Sequence, residues 1–337
     1  MSNHKSVRRL WVVVPLFIAF AFLLVVPSSP ILISNNSYFG TSNLAYGQPA
    51  QMNSNVTNSL NIQNIPVKKV HVGDIDVAYK TFGRGDPILL VSGASNVMDA
   101  WDPTVLRDLS SNLTVIIFDN RGVGNTTAST KPFSIIQFAN DTAGLLDALK
   151  VQKSDVLGFS MGSFIAQELT LLHSEKVNRL VLYAASCGGK ENIPQSPDVA
   201  KILSDFAYNR SHDVGKLLSV TFPLSWIKSH PNNISIPQSK EIVPPDTLKQ
   251  QFNIVEAWLA TNWSGVCGQL TKISKPTLVI AGTEDVTVPA ANSFILAQRI
   301  PGSWLVQIQG GGHGVMFQYP EKLSTVLRTF LTTTNPG

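Results

Sequence analysis

A serine flanked by two glycines stands out in this chain as a group suited to covalent chemistry, within Gly158-Phe159-Ser160-Met161-Gly162. The segment follows the apolar run DVLGF and precedes an amphipathic stretch, so a strand is predicted before the serine and a helix after it. A G-x-S-x-G at such a junction is a sharp turn that lifts the central hydroxyl above a helix N-terminus, where negative charge is favoured. We therefore predict that Ser160 is a nucleophile.

A serine hydroxyl is a weak nucleophile and needs a general base. Among the six histidines, His313 lies in the glycine-rich segment GGGHG, directly after the last predicted strand. Glycines there permit a tight loop that brings an imidazole to the carboxyl edge of a sheet. His313 is the predicted base. The other five are predicted to be solvated or structural, namely His4, His71, His173, His212 and His230.

A carboxylate should orient the imidazole and stabilise its protonated form, and in this arrangement it follows the strand before the histidine. The run TLVIA is such a strand, and GTEDVTVP comes directly after it. We predict Asp285 as the acid, with Glu284 as the alternative. A structural reading of Asp285, as a helix-capping carboxylate before Pro289, stays open at this point.

An acyl-transfer intermediate needs two backbone N–H donors around its oxyanion. The amide of Met161, next to the serine, is one predicted donor. The amide of Ala94 is the other, because the loop SGASN follows the strand PILLV. This Gly/Ser-rich loop is alternatively no more than a turn.

A second glycine motif, DNRGVGN at residues 119–125, follows the run TVIIF. It lacks the full pattern of a dinucleotide or P-loop phosphate site. We predict that it shapes a loop at the edge of the site, with Asp119 and Arg121 making structural bonds, rather than a phosphate cradle.

Short apolar runs alternate with amphipathic stretches from residue 67 onward. Uninterrupted runs such as PILLV are typical of strands covered on both faces, and two alternating runs around Gly73-Asp74 predict a hairpin. The alternation predicts an α/β fold with a mostly parallel central sheet and helices on both faces. Strands are predicted at 87–91, 114–118, 155–159, 179–183, 277–281 and 304–308, and helices at 134–150 (capped by Ser134), 161–173, 290–299 and 320–332.

The alternation of apolar runs and amphipathic stretches stops between residues 187 and 272, where Pro, Ser, Asn and Trp are frequent and no strand is evident. We predict a mainly helical cap insertion there, dividing a core made of residues 67–186 and 273–335. Its aromatic side chains either line an apolar pocket or pack in a core, and the sequence leaves both open. They are Phe222, Trp226, Phe252, Trp258 and Trp263.

The two cysteines, Cys187 and Cys267, either pair in an oxidising compartment or remain as two buried thiols. Neither has the spacing of a metal ligand, and no metal or cofactor is expected.

The net charge of +4 is concentrated at the N-terminus, where Lys5, Arg8 and Arg9 occur without any acid in residues 1–26. The remainder has 23 basic and 22 acidic residues, so nucleic acid is not an expected partner. A basic segment before the apolar run at 10–26 predicts a signal peptide or signal anchor. Residues 27–66 lack charge and predict a flexible linker. The domain is therefore expected outside the cytoplasm, anchored in the membrane or released after cleavage.

The motifs GFSMG, DNRGVG, GTEDVTVP and GGGHG together resemble the α/β-hydrolase superfamily over about residues 67–335, in its order and spacing. The D-x-R-G-x-G loop is similar to that of esterase, lactonase and proline-iminopeptidase-like branches. Many members have His-Gly at the position of Ser92-Gly93. This departure changes a side chain but not the backbone amide that the loop is predicted to donate to the oxyanion. A serine nucleophile argues against the dehalogenase and epoxide-hydrolase branches, which use aspartate.

The resemblance implies that Ser160, Asp285 and His313 form a catalytic triad and that residues 187–272 shape the acyl and leaving-group pockets. The expected activity is hydrolysis of a small-molecule ester, lactone or small amide through an acyl-enzyme. One alternative is a proline-iminopeptidase-like aminopeptidase, in which Glu256 or Glu241 would bind the substrate amine. Another is a non-hydrolytic member, namely a lyase, a cofactor-free perhydrolase or a ligand-binding receptor.

Overall fold

The computed structural model describes residues 61–128, 130–208, 213–231, 239 and 241–334. The predicted signal segment at 1–26 and most of the predicted linker lie outside these residues. The last part of that linker belongs to the domain, because Ile62–Asn64 forms a short 3-10 helix in which Ile62 is buried. The linker prediction therefore extends too far at its C-terminal end. Within the described part of the chain, no helix has the length and apolar character needed to cross a membrane.

An eight-stranded sheet forms the centre of the domain, in the order β1-β2-β4-β3-β5-β6-β7-β8. The predicted hairpin is confirmed as β1 and β2, and β2 is also antiparallel to β4. All other neighbouring strands are parallel. The strands are β1 Lys68–Val72, β2 Ile75–Gly83, β3 Pro87–Val91, β4 Thr114–Phe118, β5 Ser154–Phe159, β6 Val177–Tyr183, β7 Thr277–Gly282 and β8 Trp304–Ile308.

Helices cover both faces of the sheet, which explains why β5 and β7 are buried along their whole length. Apolar side chains of α2, α3 and α8 pack on one face, and those of α1 and α10 pack on the other. The Ser134 side chain caps α2, as predicted, by accepting a hydrogen bond from the Gln137 amide. These helices are α1 Pro103–Ser110, α2 Ile135–Ala148, α3 Met161–Leu172, α8 Ala291–Arg299 and α10 Pro320–Thr333, and a short α9, Val315–Gln318, precedes the last.

Between β6 and β7 the described residues form helices and no strand, in agreement with a mainly helical insertion. A disulfide joins Cys187 to Cys267, which resolves the question of their pairing. Beside it, the Val266 amide donates to the Cys187 carbonyl, so the two ends of the insertion lie side by side. The helices of the insertion are α4 Pro197–Ala207, α5 Val214–Thr221, α6 Leu224–Ser229 and α7 Pro245–Leu259.

Candidate active site

Ser160 lies between β5 and α3 in a conformation that L-residues rarely adopt, with φ 54° and ψ −121°. The two flanking glycines are required by close backbone approaches. A Cβ on Gly158 would lie 2.3 Å from the Gly162 carbonyl oxygen, and one on Gly162 would lie 2.0 Å from that of Val91. Larger residues at these two positions would clash with neighbouring backbone atoms. The close packing of the backbone therefore keeps Ser160 in its strained conformation at the point where its side chain enters the site.

His313 and Asp285 complete a hydrogen-bonded series with this serine. The Nε2 atom of His313 is 3.0 Å from the Ser160 Oγ, and its Nδ1 atom is 2.9 Å from Oδ2 of Asp285. The alternative acid, Glu284, is exposed, and the carboxylate in contact with the imidazole is that of Asp285. The arrangement allows the imidazole to take a proton from the serine while the carboxylate faces the opposite ring nitrogen.

Backbone groups and one buried tyrosine hold these side chains in place. The second carboxylate oxygen of Asp285 accepts hydrogen bonds from the amides of Thr287 and Val288, both at 2.9 Å. The Tyr183 hydroxyl donates to the His313 carbonyl at 2.7 Å and accepts from the Met316 amide at 3.2 Å. Burial raises the pKa of this tyrosine, so the hydroxyl keeps the proton that it donates. Sequence reasoning missed Tyr183, whose only signal was its position as the last residue of a strand.

The loop of residues 92–96 passes directly over the nucleophile. A Cβ on Gly93 would lie 3.1 Å from the Ser160 Cβ, and Ala94 lines the cavity that contains Ser160. Met161 is the first residue of α3, so its amide has no intrahelical acceptor. The two predicted oxyanion donors therefore belong to segments that meet at the serine.

Gln251 of α7 connects this loop to the cap and was not found from the sequence. Its side-chain oxygen accepts a hydrogen bond of 2.9 Å from the amide of Ser95. Ser95 has φ 64°, a left-handed conformation that costs free energy unless its surroundings fix it. Gln251 is fully buried, so a helix of the cap holds the residue next to Ala94.

The DNRGVG loop is structural, as its sequence indicated. The guanidinium of Arg121 is fully buried and pairs with the carboxylates of Asp141 and Asp74, at 2.6 and 3.1 Å. Asp119 accepts hydrogen bonds from the amides of Met98 and Asn125. Burial raises the pKa of Asp119 to about 6, against the effect of those two bonds. Because Arg121 is occupied by carboxylates, a phosphate cradle is not supported.

A cavity of about 410 Å³ opens beside Ser160 and His313, a size within the range of small-molecule sites. The cap and the core each contribute about half of its walls, which are mostly apolar, and the cap side includes Leu203, Phe206 and Leu217. Glu256 is the one carboxylate among the lining residues that the structure describes. The other proposed amine ligand, Glu241, does not line it.

The sequence left open whether the aromatic residues of the cap line a pocket or pack in a core, and the structure shows both arrangements. Phe252 lines the cavity. Phe222 and Trp226 are buried and stack on each other, with ring centroids 5.1 Å apart. Trp258 and Trp263 face a separate groove.

The other histidines of the described residues lie apart from Ser160. His71 pairs with Asp76 at the surface, and His173 bonds to Asn140. The His230 ring stacks on Trp226. His4 and His212 lie outside the described residues.

Comparisons with known proteins agree with this architecture. A family model described as alpha/beta hydrolase fold matches residues 86–320. The chain is 27% identical to the putative carbamate hydrolase RutD of Azorhizobium caulinodans, over 77% of this chain and 96% of that protein. It is 28% identical to the putative non-heme bromoperoxidase BpoC of Mycobacterium tuberculosis, over 76% and 97%. A thermophilic esterase structure from Thermogutta terrifontis matches with a TM-score of 0.66 and 24% identity, over 79% and 98%.

Proposed function

The chain belongs to the α/β-hydrolase family and is an enzyme of that family, and from this premise we propose that it is a serine hydrolase of carboxylic esters or lactones, or of a small amide. The observation that carries the proposal is the pair of short contacts around one imidazole, to the Ser160 hydroxyl and to the Asp285 carboxylate. A mostly apolar cavity beside them supplies room for an acyl group.

In the first step, the Ser160 oxygen attacks the substrate carbonyl carbon while Nε2 of His313 takes the hydroxyl proton. Asp285 keeps the imidazole oriented and stabilises its positive charge. The protonated imidazole then donates that proton to the departing alcohol or amine, and an ester remains on Ser160. A water molecule, deprotonated by the same imidazole, attacks this ester, and the imidazolium then returns the proton to the Ser160 oxygen as the acid departs.

Negative charge on the carbonyl oxygen peaks during both attacks, so fixed donors beside it lower both barriers. We assign this role to the amides of Ala94 and Met161. Their placement on the loop of residues 92–96 and at the start of α3 supports the assignment.

The cavity walls favour an apolar acyl or alkoxy group, because burying apolar surface supplies binding free energy, roughly 25 cal/mol per Å². Glu256 supports a second candidate, in which the carboxylate binds the amine of an aminoacyl amide. The two candidates separate in one comparison: Glu256→Gln should leave the turnover of neutral esters unchanged if the first holds, and should raise KM for aminoacyl amides if the second holds.

Two measurements on the purified chain test the proposal. A fluorophosphonate probe should label Ser160, as identified by mass spectrometry of the peptide. Ser160→Ala should lower kcat for a p-nitrophenyl ester by at least ~10³-fold. Near-normal turnover by that variant would refute the assignment of the nucleophile.

Labelling alone does not separate a hydrolase from a lyase or a perhydrolase, so the origin of the product oxygen matters. Hydrolysis in ¹⁸O-water should place one labelled oxygen in the released carboxylate. An unlabelled product would show that water does not resolve the acyl-enzyme.

We further propose that catalysis takes place outside the cytoplasm. The disulfide between Cys187 and Cys267 supports an oxidising compartment, and the basic and apolar pattern of residues 1–26 supports export. Protease added to intact cells should cleave the domain while a cytoplasmic marker stays intact, and cell fractionation should recover the domain away from the cytoplasmic fraction. Protection of the domain from the added protease would contradict this location.

A further inference from the structure

A second depression lies against the face of α7 that points away from the catalytic cavity. It has a volume of about 320 Å³ and is an open groove rather than an enclosed pocket. Ile254, Ala257 and Trp258 of α7 line it, whereas Val255 and Glu256 of the same helix line the cavity. The start of α2, one side chain of α3 and Trp263 form its other walls.

Among the described residues that line this groove, Glu168 has the one titratable side chain. It is only 8% exposed, and within the described chain it has no hydrogen-bond or ion-pair partner. Burial raises the pKa of its carboxyl. A carboxylate at the edge of an apolar groove has little water around it, and a cation delivered by a ligand would stabilise its charge.

The remaining walls suit the apolar part of such a ligand. The rings of Trp258 and Trp263 meet edge to face with centroids 5.4 Å apart, and Phe133 and Ile136 add further apolar surface. Aromatic faces next to a carboxylate attract ammonium groups through cation–π and ionic contacts. Residues 27–66 contain no lysine or arginine, so this segment has no cationic side chain that could pair with Glu168.

We propose that this groove binds a small hydrophobic ammonium ion, with its nitrogen at Glu168 and its apolar part on Trp258 and Trp263. The site is separate from the cavity at Ser160, and the proposal does not depend on the function assigned to that cavity. The two tryptophans also provide the signal by which binding is followed.

Phenethylammonium is a suitable probe, and titration of the full-length chain should change the tryptophan fluorescence with saturation. The neutral analogue 2-phenylethanol should bind at least about tenfold more weakly, because it lacks the charge. Glu168→Gln should weaken phenethylammonium binding by about tenfold or more. Glu256→Gln is the matched control, since it removes the carboxylate on the cavity side of α7, and it should leave this binding unchanged.

A second pair of variants covers the case in which a change at buried Glu168 impairs folding. Ile136 is 51% exposed at the groove, so Ile136→Lys should place a competing ammonium there and weaken the probe, while Phe294→Lys, at 49% exposure on α8, should not. The proposal is wrong if the wild type shows no saturable binding or if Glu168→Gln and Ile136→Lys bind like the wild type. It is equally wrong if binding is lost in Glu256→Gln and kept in Glu168→Gln, since the probe would then occupy the cavity.

Discussion

The α/β core and the cap contribute to the site through different kinds of contact. The core places Ser160, Asp285 and His313 on loops at the ends of β5, β7 and β8, and fixes them with short hydrogen bonds. The cap supplies apolar walls and reaches the core loops through a few polar bonds, such as the one from Ser95 to Gln251. Under the proposed function, we expect the core to carry out the reaction and the walls contributed by the cap to influence which substrate undergoes it.

The largest effect should come from the acid of the core. Asp285→Asn keeps the shape of the side chain but presents the amide to the imidazole in place of a carboxylate, which favours the wrong tautomer. We expect kcat for an activated ester to fall by about 10³- to 10⁴-fold. Steady-state kinetics with p-nitrophenyl butyrate would measure it.

The adjacent carboxylate provides the matched control. Glu284 is exposed and Glu284→Gln should leave kcat within about twofold of the wild type, as is usual for surface substitutions. Equal losses in both variants would mean that the electrostatic field of the loop matters rather than the contact of Asp285 with His313.

Much of the core could be predicted because its strands are buried on both faces. The runs PILLV and TVIIF are mostly buried and have no polar residue in their interior, and the structure gives β3 and β4 the predicted bounds. The edge strand β8 also has the predicted bounds, although Gln307 interrupts its apolar run and most of the strand is only half-buried. The loops after these strands are marked by glycines that close approaches require. Helix α1 was missed, because eight residues give too short a periodic signal, although Asp102 before Pro103 is a typical start.

The cap was less predictable because its positions depend on distant contacts. Gln251 is one of several polar residues in an amphipathic helix, and its partner Ser95 is 156 residues away in the sequence. Likewise, neighbouring residues of α7 face either the cavity or the groove, as Glu256 and Ala257 do. Whether a residue of α7 lines the cavity or the groove depends on how the helix packs on the core. The residues of the substrate pocket could therefore not be derived from local sequence patterns.

The next largest effect concerns how the cap is attached. The disulfide closes a loop of about 80 residues, and loss of such a crosslink costs about 4 kcal/mol in the free energy of unfolding. The double variant Cys187→Ala with Cys267→Ala should show this decrease in urea unfolding. At 25 °C its kcat should stay near that of the wild type, because neither cysteine belongs to the hydrogen-bonded series at Ser160. A loss of kcat as large as that of Asp285→Asn would show that the cap and the core do not divide their tasks.

A smaller effect is expected where the cap touches the oxyanion loop. Gln251→Met keeps the bulk of the side chain but removes the acceptor for the Ser95 amide, so the loop should lose its fixed position. We expect kcat to fall about 10- to 100-fold with little change in KM, because an oxyanion donor acts mainly in the transition state. Ester hydrolysis kinetics would test this split.

Thr247→Val is the control for Gln251→Met. Thr247 is also buried on α7, and its hydroxyl donates to the Gly122 carbonyl of a different core loop at 3.0 Å. The variant should lower stability slightly and leave kcat within about twofold. If both variants lower kcat alike, Gln251 acts by anchoring the cap in general and not by positioning the loop next to Ala94.

The smallest effect should be a change of preference without a change of reaction. Ala200 of α4 lines the cavity, and Ala200→Phe would fill part of its apolar end. For a p-nitrophenyl octanoate we expect kcat/KM to fall about tenfold, whereas the acetate, which needs little of the cavity, should react as in the wild type. The ratio of the two specificity constants within one enzyme preparation is therefore the measurement, and it is insensitive to small losses of folded protein. An equal loss for both esters would mean that Ala200 helps to position the catalytic residues. The cap would then contribute to the reaction itself and not only to substrate preference.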